Sequence, residues 1–181
     1  MASGNAVSIR RARLDDAREI ARVQVDTWRT TYPGIVTQAY LDGLSYPERE
    51  GRWQQILATA TEFIFVAESC EGQVVGFASG GPKRGETVYT GELNAIYLLE
   101  RYQRQGIGHR LVAAAARELL QRGMRSMIVY VFAANPAREF YEALGGRKVF
   151  EGKFLLDGAP IADIAYGWEN IEPLASMAGL A

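Results

Sequence analysis

Cysteine and histidine occur once each, as Cys70 and His109, and each scarcity removes a class of chemistry. One thiol cannot close an intrachain disulfide, and without a cluster of thiols no zinc site of the usual kind can be assembled. No metal is expected. A Ser-His-Asp or Cys-His nucleophile would have to route through His109, which follows a glycine pair at a helix start, so nucleophilic hydrolase chemistry is not expected. Cys70 closes the run Phe65-Val-Ala-Glu-Ser-Cys70 and reads as a buried structural thiol rather than a nucleophile.

An excess of either charge is also missing. Twenty basic and 21 acidic residues leave a formal net charge of −1. That balance gives no global field for nucleic acid or an anionic membrane, so any anion site must be built locally. No stretch approaches the ~20 apolar residues of a membrane span. Met1 to Asn5 is polar, with no apolar signal core, so a cytoplasmic protein is expected. No linker or repeat divides the 181 residues, which are enough for one domain with a sizeable core. The expected layout is a single domain over residues 1–170 with a tail over 171–181.

The apolar pattern then gives the elements in order. Val7 and Ile9 mark a short strand. Asp16 and Glu19 have capping-box spacing ahead of a helix bearing Ala17, Ile20, Ala21, Val25, Trp28 and Tyr32 on one face, stopped by Pro33-Gly34. Ser45 and Glu48 repeat the spacing before a second helix with Trp53, Ile56, Leu57 and Ala60. Glu62–Ser69 and Val74–Ser79 flank the turn Glu71-Gly72 and predict an antiparallel hairpin. A strand over about Val88–Leu99, a helix over Gly106–Arg122, a strand over Met127–Phe132 and a helix over Ala137–Leu144 follow. Two strands near Lys148–Leu155 and Ile161–Trp168 complete a mixed α/β sandwich with one strand–helix–strand crossover.

The segment with the most chemical content is Arg101-Tyr-Gln103-Arg104-Gln105-Gly106-Ile107-Gly108-His109-Arg110, between a strand and a helix start. A helix start carries unpaired N–H groups and a positive dipole end, and glycines let an anion approach that backbone. The turn is thus a natural pyrophosphate cradle, with Arg101, Arg104 and Arg110 adding positive charge. It is not a P-loop, because no lysine follows the glycines. Nor does it complete a dinucleotide fingerprint, because Leu111 stands where a third glycine or alanine is needed.

The run Glu92-Leu-Asn-Ala-Ile96-Tyr97-Leu98 followed by Gln103-x-x-Gly106-x-Gly108 resembles the acetyl-CoA motif of the GNAT acetyltransferases. Val131-Phe-Ala-Ala-Asn135-Pro-Ala-Arg138-Glu-Phe140-Tyr141-Glu-Ala-Leu-Gly145 resembles that family's second motif, in family order. Gly146 and Arg147 depart from it where an aromatic residue is common. The resemblance covers Glu62 to Trp168 and implies a mostly antiparallel central sheet flanked by helices. It implies a direct transfer of the acetyl group of acetyl-CoA to an amine, small or peptidic, in a ternary complex.

By the same resemblance, the main chains of Ile96, Tyr97 and Leu98 would pair with the pantetheine arm. Gln103, Arg104, Gln105, Gly106, Ile107, Gly108, His109 and Arg110 would hold the pyrophosphate, with Arg138 a further cofactor contact. Asn135 would bond the pantetheine arm, cap the next helix, or do both. Tyr141 would be the general acid for the departing thiolate, or simply a core aromatic. Glu92, at the open end of its strand, is the candidate base, or else a solvent-facing glutamate. Trp28 and Tyr32 line the acceptor pocket or pack in the core. A rival of another class is a non-catalytic acyl-CoA sensor on the same fold. A C-terminal strand at a sheet edge could support a homodimer.

Overall fold

The computed structural model describes residues 6–85 and 87–177. Seven strands form one sheet, and the strands are β1 (Val7–Arg11), β2 (Phe63–Ser69), β3 (Val74–Pro82), β4 (Gly91–Leu98), β5 (Met127–Phe132), β6 (Arg147–Leu156) and β7 (Ala159–Trp168). Their order across the sheet is β1-β2-β3-β4-β5-β7-β6. Every neighbouring pair is antiparallel except β4 and β5. The mixed, mostly antiparallel sheet and its single crossover match the expectation. The C-terminal strand β7 is internal, however, so the exposed edge on that side belongs to β6.

Helices cover both faces. On one lies α4 (Ile107–Gln121), whose Leu111, Val112, Ala115 and Leu119 are buried against Leu93, Met127 and Val129. On the other lie α1 (Ala17–Thr31) and α3 (Tyr46–Thr59), with Ile20, Val23 and Trp53 packed on Val66 and Phe77. A short α2 (Gln38–Asp42), with no apolar period long enough to announce it, extends this second layer. Residues 171–177, expected as tail, instead carry α6 (Glu172–Ala175), and Ile171 and Leu174 are buried in the α4 core.

The decisive irregularity is in the middle. β4 follows β3 along its whole length but pairs with β5 only over Gly91–Leu93, opposite Met127–Val129. At that point β4 carries an extra residue: Ser79 opposes Ala95 and Gly80 opposes Leu93, leaving Asn94 between them. Such a bulge bends and twists the strand that bears it. Gly80 is required opposite the bulge, since a Cβ there would come within 2.5 Å of the Glu92 carbonyl and 2.6 Å of the Phe63 ring. Beyond Leu93 the two strands part, and an open gap separates their facing edges.

Two sequence expectations fail locally. Cys70 is exposed, because it lies past the last residue of β2, in the turn to β3. Asp16 forms no capping box with Glu19. Its carboxylate accepts instead from the Arg13 N–H at 2.6 Å and from the Arg10 guanidinium at 2.8 and 2.9 Å, while Arg10 also binds Glu68. This network ties β1 and β2 to the start of α1. Burial works to raise the Asp16 carboxyl, but the hydrogen bonds from Arg10 and Arg13 outweigh it and hold it below its ordinary value.

A carboxyl held low stabilises the fold fully above the ordinary aspartate value of ~3.9 and loses that effect as pH falls through its folded value. Asp16→Asn is therefore expected to cost about 1–3 kcal/mol near neutral pH. Melting curves at pH 7 and below pH 3 check this: the gap between wild type and variant should close in acid. A gap that persists there overturns the account.

Candidate active site

At the top of the gap, the chain leaves β4 and makes a single 3-10 turn over Glu100–Tyr102 before entering α4. Arg104 (φ 60°) and Gly106 (φ 74°) both take the left-handed conformation, which turns successive N–H groups toward one side. The first helical bond runs from the Arg110 N–H to the Gly106 carbonyl. The N–H groups of Arg104, Gln105, Gly106, Ile107, Gly108 and His109 find no backbone acceptor among the described residues. A run of free donors at the positive end of a 15-residue helix suits a pyrophosphate without any further device.

The side chains of the turn mostly serve its shape. Gln103 Nε2 donates to the Leu98 carbonyl and Gln105 Nε2 to the Arg101 carbonyl, each at 2.9 Å. Ile107 is buried. Arg110 does not stand over the turn as expected, because its guanidinium donates to the Val7 carbonyl at 2.8 Å and anchors β1. Gly108 also has a different reason from the one the sequence implied. A Cβ there would meet the Phe140 ring at 3.3 Å, so this glycine permits a helix contact, and His109 packs edge-on against the same ring at 5.3 Å. The glycine that the cradle needs for its own path is Gly106.

The walls of the gap follow from the register. Hydrogen bonding alternates along an antiparallel pair. The Leu99 N–H donates to the Val75 carbonyl, so Tyr97 and Ala95 turn their main chains to β3, while Ile96 and Leu98 turn theirs to the gap. Of the three expected backbone contacts, Tyr97 is thus the exception. It contributes a phenol instead, part-buried beside Trp28, Tyr32 and Phe77. Burial pushes that phenol up.

Opposite, β5 ends at Phe132 and α5 (Arg138–Ala143) begins. Asn135, 5% exposed, accepts the Ala137 N–H through Oδ1 at 2.9 Å and donates through Nδ2 to the Tyr32 hydroxyl at 3.2 Å. It therefore caps the turn and links α1 to the gap with the same amide. Tyr32 is buried, its ring 4.5 Å from Trp28 and 5.6 Å from Phe132. Burial, then the neighbouring Tyr97 and Tyr141, push its phenol up. Beside this group a cleft of about 470 Å³ opens between Gly34-Ile35, Ala133-Ala134 and Pro160–Ala162. Arg138 is exposed at the start of α5.

Tyr141 is buried on the inner side of α5, with Phe140, Tyr166 and Trp168 rings at 5.5, 6.0 and 6.4 Å. Burial, followed by the nearby Tyr97, pushes its phenol up. The departure at Gly146 has a structural reason: a Cβ there would come within 2.6 Å of the Trp168 ring, whose Nε1 donates to the Leu144 carbonyl at 2.9 Å. Trp168 supplies the missing aromatic from another strand.

Glu92 is not at the open end of β4. It lies in the paired portion, opposite Ile128, one residue before the strands part. Its carboxylate pairs with Lys83 Nζ at 3.0 Å, and Lys83 stands 4.6 Å over the Tyr130 ring. Burial opposes the ammonium, but Glu92 outweighs it and holds Lys83 above its ordinary value. Lys83 lies in the polar stretch after β3, where nothing in the sequence marks it as a partner of Glu92.

Among the described residues no group of three or more His, Cys, Asp or Glu is placed to hold a metal, and no helix is long and apolar enough to cross a membrane. Residues 23–146 match the profile of the acetyltransferase (GNAT) family. The chain is 43% identical over 172 residues to the uncharacterized N-acetyltransferase YuaI of Bacillus subtilis, covering 94% of this chain and 98% of that protein. The fold is similar to that of the PaiA N-acetyltransferase of Thermoplasma acidophilum, solved in complex with coenzyme A, with a TM-score of 0.65, 18% identity, and 90% and 99% of the two chains covered. An N-acetyltransferase from Staphylococcus aureus Mu50 superposes with a TM-score of 0.69 at 20% identity over 90% and 98% of the two chains. At such identities these structures speak for the fold, and the sequence matches speak for the family. The chain belongs to the acetyltransferase (GNAT) family and is an acetyl-CoA-dependent acyltransferase.

Proposed function

We propose that the protein transfers the acetyl group of acetyl-CoA directly to an amine held in the same complex. The observation that carries this reading is the run of free N–H groups from Arg104 to His109 set beside a gap that Asn135 and Tyr141 close from the other side. The cradle would take the pyrophosphate, and the main-chain groups of Ile96 with the Leu98 N–H would take the pantetheine amides as an added strand does, the Leu98 carbonyl already accepting from Gln103. Asn135 keeps one amide hydrogen for the same arm. Trp28 and Tyr32 would face the acceptor.

In the reaction the amine nitrogen attacks the thioester carbonyl, a C–N bond forms and the C–S bond breaks. Tyr141 would give its proton to the departing sulfur. A phenol pushed up by burial stays protonated at neutral pH, which is the state a proton donor must be in. An alkyl ammonium near pKa 10.4 must first lose a proton, at a cost of about 4.6 kcal/mol at pH 7. Glu92 would receive that proton through water, with Lys83 fixing its carboxylate, and the second proton that the nitrogen sheds once the C–N bond has formed would restore the Tyr141 phenol. A sensor would need the cradle but not the acid, so retention of a buried Tyr141 beside the gap favours the enzyme.

Coenzyme A and acetyl-CoA are expected to raise the melting midpoint and ATP to do markedly less, since ATP lacks the arm that the β4 edge would pair with. Equal protection by ATP would point to a generic nucleotide site. Gly106→Val forces a branched residue into the left-handed conformation at the cradle, and should weaken acetyl-CoA by about ten-fold or more. Unchanged affinity in a titration of the folded variant would place the phosphates elsewhere. Tyr141→Phe should lower kcat by roughly 10²–10⁴ with little change in acetyl-CoA affinity. Because its phenol is raised, the wild-type rate should show no alkaline decline from this group below the ordinary phenol value of ~10. Near-equal kcat values, with melting curves showing that both proteins fold, would remove Tyr141 from the chemistry.

A further inference from the structure

Across β5 from the gap, one carboxylate is buried without a partner. Asp163, in β7, is 8% exposed, and its Oδ1 has no hydrogen-bond partner among the described residues. Burying a carboxylate is costly unless it is paired, and native structures leave few such groups. Its surroundings explain what kind of partner fits.

Residues opposite one another across a sheet share a face. Phe132, Asp163 and Gly152 form one such row, and Tyr130, Ala165 and Phe150 the next. Rings from both sides reach over β7: Tyr130 meets Phe150 at 5.9 Å, and Phe132 meets Phe154 at 6.1 Å. Gly152 makes this possible, because a Cβ there would come within 2.5 Å of the Phe150 ring and 3.4 Å of Asp163 Oδ1. Tyr130, Phe150 and Phe154 nevertheless remain 40, 46 and 49% exposed. Ring faces around a carboxylate are a binding environment for an ammonium group. One ammonium already rests there, since Lys83 sits over Tyr130, but it is held by Glu92. An apolar partner would bury Asp163 further and leave its charge unmatched, so the patch calls for a cation.

We propose that Asp163 and these rings bind a second, unreacting ammonium group of the acceptor, so that the substrate class is an aliphatic diamine or polyamine. The proposal rests on the acetyl-transfer reading for the position of the reacting nitrogen. The aromatic wall is continuous from Asn135 through Tyr32 and Phe132 to Phe154. Asp163 stands one strand beyond β5, and the gap lies on the other side of β5. The two nitrogens would therefore be separated by up to about two strand spacings, ~10 Å, a reach that a short alkyl chain spans.

The test compares 1,4-diaminobutane and 1,5-diaminopentane with n-butylamine, on wild type and on Asp163→Asn. Calorimetric titration in the presence of coenzyme A should show wild type binding a diamine about ten-fold or more tightly than n-butylamine. Asp163→Asn should erase that preference while leaving n-butylamine and acetyl-CoA affinities unchanged. Phe150→Leu, at an exposed ring, should weaken the diamines several-fold and serves as the second variant. In turnover, KM for the diamine should rise about ten-fold in Asp163→Asn with kcat little altered. Equal binding of diamine and monoamine by wild type, or diamine binding indifferent to both substitutions, overturns the proposal. Diamine binding that depends on Asp163 without release of free thiol supports it and sinks acetyl transfer. Thiol release with the diamines at a KM that is indifferent to Asp163 does the reverse.

Discussion

β4 and β5 stay hydrogen-bonded from Gly91 to Leu93 and then part, and almost everything else in the molecule is arranged around that separation. A parallel pair left open in a protein interior exposes main-chain groups that must find partners. Here the bulge at Asn94 starts the divergence, Gly80 makes room for it, and β7 captures the continuation of β5 on its other side. The gap is thus an outcome of backbone geometry rather than of a cavity between side chains. A ligand that offers amides along its length can complete the sheet where the protein does not.

The elements that border the gap are locked to one another by single contacts. Gly108 lets Phe140 lie against α4, so the helix that presents the cradle and the helix that carries Tyr141 are packed directly. Asn135 joins α1 to the turn before α5 through the Tyr32 hydroxyl. Arg110, drawn away from the cradle, fixes the start of α4 to β1. Each of these is a positioning interaction.

Much of this was legible in the residues. The 3.6 and 2.0 periods predict the long helices and all seven strands, and the glycines of the Gln103-to-Gly108 turn, set before a helix, predict the run of unpaired N–H groups found there. Local signals failed where a distant partner competed for the same group. Asp16 has the spacing of a cap, yet Arg10 and the Arg13 N–H reach it first. The apolar run before Cys70 predicts burial, but the turn has already begun at that residue. Strand position alone puts Glu92 and Tyr97 at the gap, but only the pairing register reveals which way each points. Asp163 does carry a signal in the residues, as an acidic side chain alternating into the apolar strand Ile161-Ala-Asp163-Ile-Ala-Tyr-Gly-Trp168.

The cradle offers main-chain donors, and that has a consequence for how this sequence can vary. Amide hydrogens belong to every residue except proline, so an anion site made of them would be written in the path of the chain and hardly at all in side-chain identity. Side-chain identity at Arg104 and His109 could then change while such a site survives, provided that the left-handed conformation at Arg104 and Gly106, the Gln105 bond to the Arg101 carbonyl and the contact at Gly108 are kept. The acceptor side has the opposite character. On the acetyl-transfer reading, its rings and carboxylates would act through their own atoms, so a few exchanges there would redirect the protein to a new amine while the acetyl-CoA half stays as it is.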